Sequence, residues 1–246
     1  MKTLWYESIG STNTEALRRL PELPDMCVLA AREQTSGRGQ RGNSWFTEPG
    51  KNLTFSIVVK FAPGQLRASE AMWLNYLISD VVALFLRSFA VDCHIKWPND
   101  IYVHRRKICG ILIENTLKGE GIEAAVIGVG ININQREFPQ LANATSLVRC
   151  LGEEQNLEEC LGKVCRLFEG QLPLLWDPAR RESLFASYSH HLFNKGTSAR
   201  YHDLLSDREY WGVLQGVEPD GRLCIKDLDG GGVLRYYRFK EVSFII

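Results

Sequence analysis

The 246-residue sequence carries no excess of either charge, because 29 Lys and Arg balance 29 Asp and Glu. A protein that coats nucleic acid normally shows its basic surface in this total, so the balance argues against that class. Long apolar runs are also absent. The longest stretches without Asp, Glu, Lys or Arg, residues 124–135 and 183–194, are 12 residues each, which is shorter than the roughly 18 residues of a membrane span.

Cysteine and histidine patterns typical of metal sites are missing too. None of the seven cysteines forms a Cys-x-x-Cys pair, and the five histidines lie at no ligand spacing. An acid at position 7 interrupts any apolar signal-peptide core. We therefore expect reduced, mostly buried cysteines, no bound metal, and a cytoplasmic protein.

A hydrophobic fraction of 45% and a charged fraction of 24% are typical of a folded globular protein. Apolar periodicity and turn residues predict a mixed α+β sheet domain over residues 1–193, followed by a small all-β module over residues 194–246. The predicted helices are 12–20, 68–89, 157–172 and 178–191, and the predicted strands are 26–31, 52–60, 101–103, 108–114 and 122–133. The long apolar helix at 68–89 is expected to lie across the sheet.

Residues 37–42, Gly-Arg-Gly-Gln-Arg-Gly, match the G-x-G-x-x-G fingerprint of dinucleotide-binding folds. That fingerprint requires a helix at its third glycine and an acid about 20 residues later, and the sequence offers neither. A surface turn is the simpler interpretation. However, interleaved Arg38 and Arg41 favour an anion site, because backbone N–H groups and guanidinium groups both bind phosphate or carboxylate.

A second basic cluster lies at residues 96–107, where Lys-Trp-Pro-Asn-Asp precedes a predicted hairpin. Arg105 and Arg106 fit a solvated hairpin tip. Lys107 adjoins a buried apolar strand and is the better functional candidate, while Asp100 follows a turn at the mouth of the hairpin. Residues 31–51 and 96–107 together carry a charge of +5, which points to a small anionic ligand.

Neutral donors and acceptors form a third group, made up of Ser11, Thr12, Asn13 and Gln34. Residues 11–13 alone would be a helix cap, since Ser, Thr and Asn are preferred there. Asn132 lies in an otherwise apolar strand, where its burial would require hydrogen-bond partners.

In order and spacing, these motifs resemble the biotin–protein ligases. The segments that carry the resemblance are 11–13, 34–45, 96–100, 107–114 and 130–132, and the residues from about 195 onward resemble the small SH3-like C-terminal domain of that family. The resemblance implies a catalytic domain of class II synthetase type. Because Ser11 lies so close to the start of the sequence, the resemblance is to the monofunctional class, without the DNA-binding domain of bifunctional members.

The resemblance implies an ATP-dependent reaction in two steps, with biotinyl-5′-AMP as intermediate and a lysine of a biotin carboxyl carrier protein as acceptor. Lys107, Arg38 and Asp100 would be catalytic, with Mg²⁺ arriving on ATP. The implied biotin-binding residues are Ser11, Thr12, Asn13, Gln34, Gly37, Arg38, Gly39, Gln40 and Lys107. The implied ATP-binding residues are Arg41, Trp45, Asn99 and Asn132. No DNA or membrane partner is expected, and a homodimer is left open.

Two alternatives remain at this point: a lipoate-type protein ligase, which acylates lysines through a similar adenylate, and a non-catalytic regulator that senses biotin. The sequence departs from the family pattern at Gln40, because bifunctional members often carry arginine at this position of the loop that closes over the adenylate. Arg41 could supply the missing charge.

Overall fold

A seven-stranded mixed sheet forms the centre of the larger part of the molecule. The computed structural model describes residues 1–139, 141, 143–218 and 220–245, apart from the side chain of residue 41. The strands are β1 (Lys2–Ile9), β2 (Cys27–Gln34), β3 (Leu53–Lys60), β4 (His94–Lys96), β5 (Asp100–Val103), β6 (Arg106–Lys118) and β7 (Gly121–Ile131). Their spatial order is β1-β2-β3-β7-β6-β5-β4. Only β1 and β2 run parallel among these described strands; the other neighbours are antiparallel.

Helices pack on both faces of this sheet. They are α1 (Thr12–Arg18), α2 (Met72–Arg87), α3 (Leu147–Leu151), α4 (Leu157–Gln171) and α5 (Pro178–His190). On one face, α1 inserts Ala16 into a cluster with Leu29, Val58 and Val126. On the other face lies α2, eleven of whose sixteen residues are buried. The prediction that this helix lies across the sheet is therefore confirmed.

The apolar character of α2 also satisfies a simple test for a membrane span. Over Ala68–Arg87 the mean hydropathy is 1.2, yet 61% of the segment is buried inside the fold. Its apolar side chains pack against the main hydrophobic cluster and α4. Burial of this kind is typical of a helix in the core of a folded domain.

A second, antiparallel sheet follows α5. Its strands are β8 (Ser198–Asp203), β9 (Arg208–Val217), β10 (Leu223–Asp227), β11 (Val233–Tyr237) and β12 (Val242–Ile245), in the order β11-β10-β9-β8-β12. The predicted all-β module is confirmed as a sheet, but β11 and β12 are its two edges and no pairing between the described strands closes a barrel. The indole N–H of Trp97 donates to the carbonyl of Gly221 at 3.2 Å and so links the two sheets.

All seven cysteines are free thiols, and six of them are buried. Burial raises the pKa of the Cys93, Cys160 and Cys165 thiols to about 11, which disfavours the reactive thiolate. Cys150 is the exposed member of the set.

Candidate active site

A cavity of about 360 Å³ opens where β5, β6 and β7 meet the second sheet. It collects side chains from all three polar motifs of the sequence. The predicted site residues that line it are Ser11, Thr12, Asn13, Gln34, Arg38, Gly39, Gln40, Trp45, Asn99, Asp100 and Lys107. Residues separated by up to 96 positions in the chain therefore share one concave surface.

Lys107 and Asp100 form an ion pair in this cavity. Their Nζ and Oδ1 atoms are 2.7 Å apart, and each side chain is 31% exposed. The Lys107 main chain is held from one side by the register with Tyr102 of β5. On the other side, its N–H donates to Asn143 and its carbonyl accepts from Thr145. The ammonium group is therefore presented to the cavity by a backbone fixed from both sides.

Lys96 lines the same cavity as this pair. Burial lowers the pKa of its ammonium group, the charge of Asp100 opposes that effect, and the charge of Lys107 adds to it. Two like charges and one carboxylate thus make a local excess of positive charge, which suits an anionic ligand. Lys96 belongs to a motif the sequence singled out, but we did not predict it as a site residue.

Neutral hydrogen-bonding groups lie together at another part of the cavity. Gln34 Oε1 accepts from the Thr12 N–H at 2.7 Å and from the Thr12 hydroxyl at 3.1 Å. Ser11 is the N-cap of α1, because its hydroxyl accepts from the Thr14 N–H at 3.4 Å. The cap interpretation of residues 11–13 is therefore confirmed for Ser11, and the same residue also lines the cavity.

Arg38 lines the cavity but is bound to a carboxylate on its rim. Its guanidinium makes a bidentate pair with Glu114, at 2.7 and 3.1 Å. The same carboxylate accepts from the Asn13 amide at 2.9 Å. Glu114 therefore joins the glycine-rich segment to the α1 terminus, and an anionic ligand would have to compete with it for Arg38.

Three glycines make the cavity floor flat. Gly110 and Gly130 face each other across β6 and β7, and the indole of Trp45 lies against both. A Cβ atom built on Gly130 would be 2.4 Å from the Trp45 ring, and one built on Gly128 would be 2.2 Å from the Asn13 oxygen. The Trp45 N–H is buried without a hydrogen-bond partner among the described atoms.

The loop residue Gln40 bridges two elements. Its amide donates to the Asn99 side chain at 3.2 Å and to the Ile111 carbonyl at 3.4 Å. The loop therefore has neutral contacts at the position where the sequence lacks the charge of an arginine.

Two predicted site residues in the described part of the chain, Gly37 and Asn132, do not appear in the lining. Gly37 is buried beside it, where a Cβ would lie 2.3 Å from the Trp45 carbonyl oxygen. Asn132 is buried, and its amide donates to the Thr145 carbonyl at 3.0 Å. The Arg41 backbone lies in a short 3₁₀ turn, but its side chain is outside the described part of the structure.

The second sheet closes the cavity with residues that the sequence did not single out. Leu204, Phe239, Lys240, Ser243 and Phe244 all line it. The Trp97 and Phe239 rings are 6.0 Å apart, edge to face. These residues lie more than 95 positions after Lys107 and belong to no recognisable motif, so only tertiary structure reveals them.

The chain is similar to several known proteins. A model described as the biotin/lipoate A/B protein ligase family matches residues 5–132. The bifunctional ligase/repressor BirA of Salmonella typhimurium is 40% identical over 243 residues, covering 96% of this chain and 72% of that protein. The biotin–[acetyl-CoA-carboxylase] ligase of Mycobacterium tuberculosis is 28% identical over 227 residues, covering 91% and 81%.

The fold is also similar to a solved structure, the biotin protein ligase from Aquifex aeolicus in complex with biotin and ATP. The TM-score is 0.79 at 24% identity, and the match covers 98% of this chain and 97% of that one. At this identity the likeness concerns the fold, and it confirms the predicted α+β class.

Proposed function

The chain belongs to the biotin/lipoate A/B protein ligase family and is a biotin–protein ligase, and from this premise we propose how it acts. The biotin carboxylate attacks the α-phosphate of ATP, which forms biotinyl-5′-AMP and releases pyrophosphate. An acceptor lysine amine then attacks the carbonyl of this anhydride, forming an amide and releasing AMP. The observation that carries the proposal is that Lys107, Asp100 and Arg38 share one cavity with Ser11, Thr12 and Gln34.

Cationic groups are needed for the first step. Two unit negative charges about 4 Å apart repel by on the order of 4 kcal/mol at an effective dielectric of 20. Lys107 lies in the cavity with its backbone fixed, so its charge requires little reorganisation when the reactants meet. Arg38 would join it after exchanging Glu114 for the ligand. Both residues would thus stabilise charge between the carboxylate and the phosphate.

The ureido ring of biotin is uncharged and presents two N–H donors and one carbonyl. Hydroxyls and amides recognise such a group better than ions do. Gln34 uses its oxygen for Thr12, so among the described contacts its amide N–H₂ is available to the ureido carbonyl. The hydroxyls of Ser11 and Thr12 can accept from the ring. This end of the cavity is therefore proposed as the biotin end.

The second step requires a deprotonated acceptor amine. Asp100 is the one carboxylate in the described cavity lining, and it can accept a proton from the incoming ammonium group. Its pairing with Lys107 keeps its oxygen oriented. We propose that Asp100 assists transfer in this way.

ATP, its Mg²⁺ and the carrier protein complete the proposal. Mg²⁺ bound to nucleotide phosphates usually takes only one or two protein carboxylates. The described residues contain no cluster of three metal-binding side chains, so the ion is treated as part of the ATP substrate. The acceptor is proposed to be a biotin carboxyl carrier protein of acetyl-CoA carboxylase, and a cytoplasmic location remains a prediction.

Pyrophosphate release from ATP tests the proposal and its two alternatives. Release with biotin, together with biotinylation of an added carrier domain, is expected. Release with lipoate in place of biotin would identify a lipoate-type ligase. Biotin binding without pyrophosphate release in the presence of Mg²⁺ would identify a non-catalytic sensor.

A further inference from the structure

A chain of three side-chain amides connects the glycine-rich segment to helix α2. Gln40 donates to Asn99 at 3.2 Å, and Asn99 donates to Asn75 Oδ1 at 2.8 Å. Asn75 lies in the first turn of α2. Residues 59 and 24 positions apart are thus joined by hydrogen bonds between uncharged groups.

The three hydrogen-bonded amides lie between two adjoining cavities. Gln40 and Asn99 line both the cavity described above and a second one of about 550 Å³ beside it. Asn75 lines only the second cavity. The amide contacts therefore lie where the two cavities meet, and Asn75 is outside the candidate active site.

The orientations of the three side-chain amides depend on one another, because each hydrogen bond needs one donor and one acceptor. The Ile111 carbonyl, 3.4 Å from Gln40 Nε2, requires a donor and so fixes which way the Gln40 amide faces. Asn99 must then present its oxygen to Gln40 and its N–H₂ to Asn75. Asn99 is 3% exposed, so a lost partner is not readily replaced by water, and a buried unpaired donor is costly.

Without the Asn75 oxygen, only the 3.2 Å contact from Gln40 would hold the Asn99 amide in this orientation, and the Asn99 N–H₂ would have no partner among the described contacts. A reversed Asn99 amide would bring its N–H₂ toward the N–H₂ of Gln40, and two donors repel. The loop contact would then be lost even though Gln40 and Asn99 are both present. Asn75 thus controls a contact that it does not itself make.

We propose that Asn75 is a positioning residue that orients Asn99 and, through it, Gln40, so that the glycine-rich segment stays closed over the reaction intermediate. This inference rests on the proposed function, because the intermediate is the adenylate. The Gln40–Asn99–Asn75 contacts are neutral, so their contribution to the closure is expected to be insensitive to ionic strength, unlike that of exposed charges.

The escape rate of radiolabelled biotinyl-AMP from the full chain, without carrier protein, measures the closure. Asn75→Leu, similar in size but without the acceptor, is expected to raise the rate about fivefold, the equivalent of one neutral hydrogen bond. Asn75→Asp keeps the acceptor oxygen and should remain near the wild-type rate. Asn115→Ala is the matched control, because this exposed residue lines the same outer cavity.

A double-mutant cycle separates positioning from a general loss of structure. If Asn75 acts through Gln40, Asn75→Leu adds little to the escape rate of Gln40→Leu, because coupled residues are not additive. Rates that multiply, or an Asn75→Leu rate equal to the wild type, would overturn the proposal. Thermal unfolding of each variant establishes that it is folded.

Hydrogen exchange provides a readout that does not depend on biotin chemistry. In the ligand-free protein, backbone amides at residues 37–45 should exchange faster in Asn75→Leu than in the wild type or Asn115→Ala. Unchanged exchange would contradict the positioning role. If the wild type forms no adenylate while the exchange difference is observed, the proposed function fails and the positioning role stands.

Discussion

The Lys107 ammonium nitrogen lies 2.7 Å from the Asp100 carboxylate, although the Lys107 backbone is held by neighbours on both sides that do not involve its side chain. The side chain is therefore available for chemistry at little structural penalty, because its removal leaves the strand pairing intact.

Lys107→Ala is expected to abolish or severely slow adenylate formation while the chain stays folded. Loss of a preorganised charge at the reacting phosphate lowers the rate by about 100-fold or more. Biotin-dependent pyrophosphate release measures this effect, and circular dichroism monitors the fold. Arg106→Ala, at the exposed hairpin tip, should keep the wild-type rate. Near wild-type release by Lys107→Ala would show that the assigned role is wrong.

Gly130→Ala should weaken ATP binding more than biotin binding. The added methyl group would lie 2.4 Å from the Trp45 indole, so the ring must leave the floor on which it rests. If Trp45 contacts adenine, KM for ATP rises by about tenfold, since base–aromatic stacking is worth about 1–3 kcal/mol. KM values for both substrates measure the difference. Gly216→Ala, with no atom within 4 Å of the added group, should change neither.

Lowering the pH should remove the contribution of ionised Glu70 to the free energy of unfolding. Burial alone would raise the pKa of Glu70, but hydrogen bonds from Arg181 and Arg67 outweigh it and hold the pKa at about 2 instead of 4.5. The ionised form therefore stabilises the fold above pH 4.5, and this contribution is lost as the pH falls toward 2. At neutral pH it amounts to about 3 kcal/mol at most.

Denaturant unfolding of Glu70→Gln tests this linkage. The variant should have a lower free energy of unfolding than the wild type at pH 7, and the gap should narrow by more than half at pH 3. Glu153→Gln, at an exposed position, should show no gap. A gap that stays constant with pH would mean that Glu70 stabilises the fold by packing alone.

Specific DNA binding is not expected. A protein binds DNA phosphates mainly through Lys and Arg, which displace the counterions of the phosphates, and this chain has no excess of these residues over Asp and Glu. A gel-shift series with duplexes of random and of defined sequence at physiological salt measures this. A sequence-selective shift that weakens as salt increases would contradict the prediction.

The sequence predicted the long, strongly periodic elements well and missed the short ones. Helix α2 and strands β3 and β7 are rich in apolar residues, and their burial follows from this composition. β4 has three residues and α3 has five, too few for periodicity to appear. β1 mixes charged and aromatic residues at a half-exposed edge of the sheet, so no alternation identifies it.

The candidate site was predictable where polar motifs interrupt apolar patterns, as at Ser11, Gln34 and Lys107. Contacts between residues far apart in the sequence were not predictable. Glu114 binds Arg38 from 76 positions away, and Asn75 reaches Gln40 only through Asn99. Such contacts depend on how sheets and helices pack, and local sequence carries no signal of them.

The cavity wall supplied by the second sheet affects the order in which the site comes into being. The last five lining residues, Phe239, Lys240, Val242, Ser243 and Phe244, belong to this wall, and a ribosome makes them after every other lining residue. During translation the larger sheet can fold while its cavity is still open on this side. The cavity is closed on this side only when Phe239 packs against Trp97, so the larger sheet can be folded before the site is complete.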